Sequence, residues 1–134
     1  MGLRRAVLVS SAIVFAAIDL LHKAFDRTDF HHQRSSFVAF VIGAVVIALV
    51  LLVPRVPSNA AALGAGIACG GALGNLVSLL AWSQGVPDPL VVTGASHGLA
   101  FNLADLFAVV GDALLLSAVV VYGLRQRGRL RERI

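Results

Sequence analysis

Long apolar stretches alternate with short polar ones along the whole chain. Four of them, at residues 6–22, 37–53, 60–82 and 99–124, are long enough and apolar enough to predict membrane-spanning helices. A span needs about 20 apolar residues, and about 17 suffice. Because lipid offers the backbone no hydrogen-bond partners, such segments form helices. The pattern therefore predicts an all-α integral membrane protein, a bundle of four transmembrane helices.

Composition indicates one membrane unit. Of 134 residues, 58% are hydrophobic and 13% are charged, against about 25% charged in soluble domains. We expect a single domain over residues 1–134 that ends in a basic tail at 125–134. The net charge of +4 invites a nucleic-acid interpretation, but the basic residues lie at helix ends without interleaved aromatic groups. We therefore expect membrane lipid, and no nucleic acid, as a partner.

The basic residues are distributed unequally between the two ends of the helices. Arg4, Arg5, Arg55 and the five arginines of the tail flank one end. The other end has fewer basic residues, and aspartates dilute them. Positive residues favour the cytoplasmic side. We expect both termini to be cytoplasmic, the loops at residues 26–36 and 83–98 to face outward, and the protein to be a multi-pass protein of a bacterial inner membrane.

A cleaved signal peptide is the alternative interpretation of the first segment, which has a basic start and small residues near Ala16. Asp19 and Lys23 argue against cleavage. They are four residues apart, so they form an i,i+4 pair on one helix face. We therefore expect the first segment to be retained as a helix.

The third segment is rich in small residues. Gly66, Gly70 and Gly74 recur every four residues, a stripe that lets a neighbouring helix approach closely. Asn75 is a polar amide well inside the same segment. A buried amide without a hydrogen bond is costly, so Asn75 must find a partner. We expect the stripe to serve helix packing whatever the function.

The fourth segment carries Asn102, Asp105 and Asp112. Carboxylates are expensive in a bilayer, and ionisable residues there are functional candidates. Asn102 lies one turn before Asp105, which predicts a polar cluster and makes Asp105 the stronger candidate. Asp112 lies two turns further on the same face. For Asp112 we expect a protonated or hydrogen-bonded core residue that holds a neighbouring helix.

Three motifs resemble those of signal peptidase II, the lipoprotein signal peptidase. They read GGALGNLVS from Gly70 to Ser78, FNLAD from Phe101 to Asp105, and DLLHK from Asp19 to Lys23. The resemblance implies an aspartic endopeptidase scaffold of four helices, with one catalytic aspartate at the end of each of the first two motifs. It makes Asp105 one of these aspartates and puts Ser78 in place of the other. It also implies a substrate or partner groove formed by Asp19, Lys23, Asn75, Asn102 and Ala104.

Departures from the family pattern all fall on the catalytic side. Leu79 stands where the family has an arginine, and the first outer loop lacks the family's motif and is too short for its β-structured platform, so we expect a reduced platform. An aspartic dyad needs two carboxylates that share a proton. A serine hydroxyl cannot serve as general base there, and one acid–base group is worth about 10²–10⁴ in rate.

We therefore expect a catalytically degenerate member that binds a lipid or a partner's transmembrane segment between helices three and four. One alternative is an active, divergent peptidase that cleaves lipid-modified prolipoproteins. In that case Asp88, between two prolines, could fold back as a stand-in carboxylate. The other alternative is a small structural subunit of a larger membrane complex.

Two other chemistries find little support. A serine hydrolase triad of Ser78, His97 and Asp105 needs an oxyanion hole that the sequence does not suggest. The histidines lack the spacing of a metal site and have no cysteine beside them, so we expect no metal and no cofactor. The sequence leaves the role of His22, His31, His32 and His97 open.

Overall fold

The computed structural model describes residues 1–94 and 98–131, without the side chains of residues 130 and 131. Its helices are α1 (Gly2–Phe25), α2 (Ser36–Leu52), α3 (Asn59–Ala81) and α4 (Leu103–Arg131). A single 3₁₀ turn, Val53–Arg55, follows α2. All four helices are long and apolar enough to cross a membrane. This confirms the prediction of an all-α membrane bundle.

The ends of the bundle can be told apart by their loops. Four consecutive spans place both chain ends at one end of the bundle, and Arg4 Nη1 donates to the carbonyl of Val56 there at 2.7 Å. We call this end the tail face. The opposite end, which carries the strands and the loops after α1 and α3, is called the loop face. The cytoplasmic placement of the tail face stays a prediction.

Helix α3 is the centre of the bundle. In its span 61% of the residues are buried, against at most 22% in the other three spans. The Gly66, Gly70 and Gly74 stripe faces α1: a Cβ at Gly66 would lie 2.6 Å from the carbonyl oxygen of Leu8, and one at Gly70 would lie 2.7 Å from Cβ of Phe15. The two backbones therefore touch, which larger residues would prevent.

A second set of glycines joins α3 to α4. A Cβ at Gly64 would lie 2.5 Å from the backbone nitrogen of Leu115, and one at Gly71 would collide with the carbonyl oxygen of Ala104. Gly111 of α4 packs against the backbone of Ala68 in return. The middle of the α3–α4 interface is therefore closed, so any groove between these helices can open only towards their ends.

The loop face carries two short antiparallel sheets. Strand β1 (His31–His32) pairs with β2 (Val86–Pro87), and β3 (Leu90–Thr93) pairs with β4 (Gly98–Phe101). The loop after α1 contributes only the two residues of β1, in line with the expected reduced platform. The strands themselves are not apparent in the sequence pattern.

The predicted bounds of the fourth helix, 99–124, are wrong at both ends. Strand β4 occupies residues 98–101, because Val91 and Ala100 pair across the sheet, and α4 begins only after Asn102. At the other end the helix continues through Arg131, so most of the predicted tail at 125–134 is helical. Alternating arginines on a helix are solvated as well as they are in a coil, so charge alone does not stop the helix.

The expectation for Asp112 is also wrong. The residue is exposed on α4, and among the described residues its carboxylate has neither a hydrogen bond nor an ion pair. The reason is local: Gly111, the neighbouring residue, turns towards α3. Asp112 is rotated about 100° from it around the helix, which carries its carboxylate away from the core.

Candidate functional site

The ammonium group of Lys23 is the centre of a buried polar cluster at the loop-face end of the helices. It donates three hydrogen bonds: to Asp19 Oδ2 at 2.6 Å, to Asn75 Oδ1 at 2.8 Å and to Ser78 Oγ at 3.1 Å. The side chains of Lys23 and Asp19 are completely buried. An ammonium has three protons to donate, and all three have acceptors here. These hydrogen bonds therefore offset the free-energy cost of burying the charged groups of the cluster.

Asp19 joins this cluster to the fourth helix. Its second oxygen, Oδ1, accepts a hydrogen bond from the backbone nitrogen of Ala104 at 2.8 Å. That nitrogen lies in the first turn of α4, where N–H groups lack partners within the helix and the helix dipole favours a negative charge. One carboxylate thus ties α1 to α4, while its partner Lys23 ties α1 to α3.

Asp105 and Asn102 form reciprocal hydrogen bonds at the start of α4. Asn102 Oδ1 accepts from the nitrogen of Asp105 at 3.1 Å, and Asp105 Oδ2 accepts from the nitrogen of Asn102 at 3.2 Å. This reciprocal arrangement is a capping box, with aspartate in the place of the usual glutamate. The family-matching aspartate is therefore also a structural residue of its own helix.

The other oxygen of Asp105 faces α3 and the first loop. Asn75 Nδ2 donates to Oδ1 at 3.1 Å, and Arg34 Nη2 lies 3.9 Å from the same atom. The orientation of the Asn75 amide follows from its partners, since an ammonium only donates and a carboxylate accepts. The Asp105 side chain is 35% exposed, so it is the accessible carboxylate of the cluster.

The hydroxyl group of Ser78 is buried and uses its proton and its oxygen in hydrogen bonds to neighbouring groups. The residue has no exposed surface, and its hydroxyl donates to the carbonyl of Gly74 at 2.6 Å while it accepts from Lys23. Among the described residues, the hydroxyl makes no hydrogen bond to Asp105. A hydroxyl whose proton is used by a backbone carbonyl is poorly placed to attack a substrate or to share a proton with a carboxylate.

Asp88 folds back into the same region. Its Oδ1 accepts from Asn102 Nδ2 at 2.7 Å, and its Oδ2 lies 2.7 Å from His32 Nδ1. The side chain is 7% exposed. Asn102 therefore lies between two carboxylates, Asp88 on one side and Asp105 on the other. Sequence reasoning offered Asp88 as a stand-in, but it missed His32 and Arg34, whose only signal is their place in a loop that returns to the bundle.

Two of the histidines, His22 and His32, each pair with one carboxylate. His22 Nε2 lies 2.9 Å from Asp26 Oδ2, and His32 contacts Asp88 as described. Within residues 1–94 and 98–131, no group of three or more His, Cys, Asp or Glu side chains is arranged to hold a metal ion. His97, the histidine of the serine hydrolase triad considered above, lies outside the described residues.

A cavity with a volume of about 720 Å³ opens at the loop face. We call it the loop-face cleft. It is bounded by the end of α1, the loop after it, the end of α3 and the prolines around Asp88. Its lining includes the charged Asp26, Arg27 and Asp29 and the apolar Phe30, Trp82 and Val91. Of the predicted groove residues, Lys23 lines this cleft. Asp19, Asn75, Asn102 and Ala104 are buried, and their role in a groove stays a prediction.

Comparisons of the sequence with known proteins point to one family. A family model described as signal peptidase (SPase) II matches residues 21–121. The chain is 36% identical to lipoprotein signal peptidases of Burkholderia mallei and Burkholderia pseudomallei, and 33% identical to that of Burkholderia cenocepacia, each over 84 residues. These matches cover 63% of the chain and 51% of each relative, so the chain spans about half the length of the curated relatives it matches.

No solved structure matches the chain significantly. The family model nevertheless covers the end of α1, all of α2 and α3, the strands and most of α4, and so includes every residue from Lys23 to Asp105 that builds the polar cluster. The motifs GGALGNLVS and FNLAD lie inside the matched range, and so does the buried cluster except for Asp19. The chain therefore belongs to the signal peptidase II family.

Proposed function

We propose that this protein is a catalytically inactive member of its family that binds a lipid-modified segment, a lipid or a partner's transmembrane segment at the loop face. The observation that carries the proposal is the hydrogen bonding of the Ser78 hydroxyl. Its hydroxyl is buried, donates to the Gly74 carbonyl and accepts from Lys23. Position 78 thus offers an accepting oxygen to a cation and no second carboxylate to Asp105.

The loss matters because the dyad chemistry depends on two carboxylates. In an aspartic protease one carboxylate activates water while the other, protonated, polarises the scissile carbonyl. Repulsion between close like charges separates the two pKa values and so creates one acid and one base. Asp105 has no second carboxylate beside it at position 78; its neighbours across the helix interface are the neutral Asn75 and the cationic Arg34. Neither neighbour is a carboxyl group that could share a proton with it.

Binding is supported by the loop-face cleft. Its volume of about 720 Å³ falls in the range of about 300–1,000 Å³ that is typical of ligand sites. Trp82 and Phe30 give it apolar surface, and Asp26, Arg27 and Asp29 give it charged groups of both signs. A ligand that combines an apolar chain with a polar head group matches this lining.

A cleavage assay tests the inactive part of the proposal. The full chain is purified in detergent and mixed with a lipid-modified prolipoprotein, and product is followed by gel shift. We expect no cleavage by the natural protein and a gain of cleavage in Ser78→Asp. The gain should disappear when Asp105→Asn is added. Cleavage by the natural protein that Asp105→Asn abolishes would overturn the proposal.

The binding part has a separate readout in Trp82, the sole tryptophan of the chain. A synthetic peptide with a diacylated cysteine is titrated into the protein, and the fluorescence of Trp82 is recorded. The same peptide without acyl chains serves as the control. Saturable change with the acylated peptide alone supports binding at the cleft. No change with either peptide would reject it, whatever the cleavage assay gives.

Asp88 favours a second candidate, an active divergent peptidase. It is a buried carboxylate that shares Asn102 with Asp105, and it is flanked by cleft-lining prolines. If the natural protein cleaves, Asp88→Asn and Asp105→Asn should each lower the rate by about 10²-fold or more. Asp112→Asn, a change at an exposed carboxylate that does not line the cleft, is the control and should leave the rate unchanged.

A further inference from the structure

Asp112 presents an ionisable group to the lipid at mid-depth of the membrane. It lies nine residues after Leu103, the first residue of α4, which is roughly 14 Å along a helix that rises about 1.5 Å per residue. The hydrocarbon core is about 30 Å thick. The carboxylate is exposed and has no partner among the described residues. Neither the capping box nor the Lys23 cluster uses it.

Asp112 forms one rim of a cavity between α2 and α4. The cavity has a volume of about 180 Å³, and its floor is the small-residue face of α3 around Ala68, Cys69 and Ala72. Val41 and Val45 of α2 form the opposite wall, and 41% and 51% of their surfaces are exposed. We call this cavity the mid-membrane notch. It is apolar everywhere except at Asp112.

A lone carboxylate at this depth calls for a complementary group. Insertion scales put the cost of an aspartate at the centre of a span at about 2.5–3.5 kcal/mol. A cation or a strong donor at the same depth lowers that cost. The occupant must also fill an apolar space, and a cavity of about 150 Å³ accommodates a molecule the size of benzene. The notch therefore fits one long side chain.

We propose that the notch receives a lysine or arginine side chain from a transmembrane helix of a partner protein, with the aliphatic stem along Val41 and Val45 and the cation at Asp112. Such side chains place their methylenes on apolar surface and their charge on a polar group. This interface goes beyond the proposed function and does not depend on it, since the notch and the loop-face cleft share no lining residue.

A second copy of this chain does not supply the cation. In α2 and α3 no lysine or arginine is present, and those of α4 begin at Arg125. In α1 the nearest is Lys23, which is buried and paired with Asp19 at the loop-face end. A partner with a basic residue near the middle of its span is therefore the occupant that the charges favour.

The test uses designed transmembrane peptides. The full chain, with a fluorescent donor at its C-terminus, is placed in phosphatidylcholine vesicles with acceptor-labelled polyleucine peptides. The peptides carry either one central lysine or one central norleucine, and energy transfer measures association. We expect the lysine peptide to associate about tenfold more tightly. Asp112→Leu should remove this preference, and Val45→Phe, which fills the notch while Asp112 remains, should also remove it.

Controls distinguish the notch from general effects on the membrane. Ile47→Phe places the same aromatic side chain on an exposed part of α2 that does not line the notch, and it should keep the lysine preference. Equal association of both peptides with the natural protein would overturn the proposal. So would a lysine preference that survives in Asp112→Leu, or self-association of labelled copies that Asp112→Leu abolishes while neither peptide binds.

Discussion

Lys23 and Ser78, 55 positions apart in the chain, are joined by a hydrogen bond of 3.1 Å from Nζ to Oγ. The ammonium thus occupies the space next to the position where the family motif ends in an aspartate. Lys23 has its counter-ion in Asp19, four residues away on the same helix. The cluster is therefore balanced in charge without a carboxylate at position 78, which explains how the serine is accommodated.

Removing Lys23 should be strongly destabilising. Lys23→Met leaves the carboxylate of Asp19 buried with only the Ala104 N–H as a partner, and breaking a buried pair from one side costs about 3–5 kcal/mol. Equilibrium unfolding in mixed detergent micelles measures the loss. The double variant Asp19→Leu with Lys23→Met should be less unstable than Lys23→Met alone, because no uncompensated charge remains. The exposed Asp26→Asn change should cost at most about 1 kcal/mol.

Glycines that face other helices should tolerate alanine poorly. A Cβ at Gly74 would collide with the carboxylate of Asp19, and one at Gly71 would collide with α4. We expect each alanine variant to lower stability by about 1–3 kcal/mol. Gly43→Ala in α2 is the matched control, since nothing lies within 4 Å of its Cβ position. That variant should be as stable as the natural protein or more stable; a loss equal to that at Gly74 would contradict the packing described here.

Asn102→Ala should cost more than the loss of an ordinary helix cap. Asn102 caps α4 and also donates to Asp88, so its removal also takes away one of the two side-chain partners of the buried Asp88 carboxylate. We expect a loss of about 2–4 kcal/mol. Ser35→Ala, which removes the exposed cap of α2, should cost about 1 kcal/mol. Thermal unfolding in detergent compares the two variants, and equal losses would argue against a structural role for Asp88.

Ser78 should be chemically inert. Its proton is donated to the Gly74 carbonyl and its side chain has no exposed surface. A fluorophosphonate probe that labels activated serines should therefore leave the protein unmodified, as judged by intact mass. Ser78→Ala should lower stability by about 1–2 kcal/mol through the lost bond to Lys23. Labelling at Ser78 would revive the serine hydrolase interpretation.

Much of the fold follows from the sequence because its signals are local. The hydrophobic runs predict four helices, since spanning segments in lipid have to satisfy their own backbone groups. The four-residue repeat of Gly66, Gly70 and Gly74 marks a contact face. The start of α4 that the sequence predicts is wrong, because strand β4 exists only through its pairing with β3. Two strands of four residues each are too short to leave a periodic signal in the sequence.

The sequence by itself determined the family motifs, the pairing of Asp19 with Lys23 on one face and the absence of an aspartate at position 78. Only the tertiary structure decided what these residues do. It showed that Lys23 reaches Asn75 and Ser78, that Asp88 returns to Asn102, and that Asp112 faces outward. The physical reason is that hydrogen bonds across helices depend on the rotation and depth of each helix. These are set by packing, here by glycines that bring α1 and α4 onto α3.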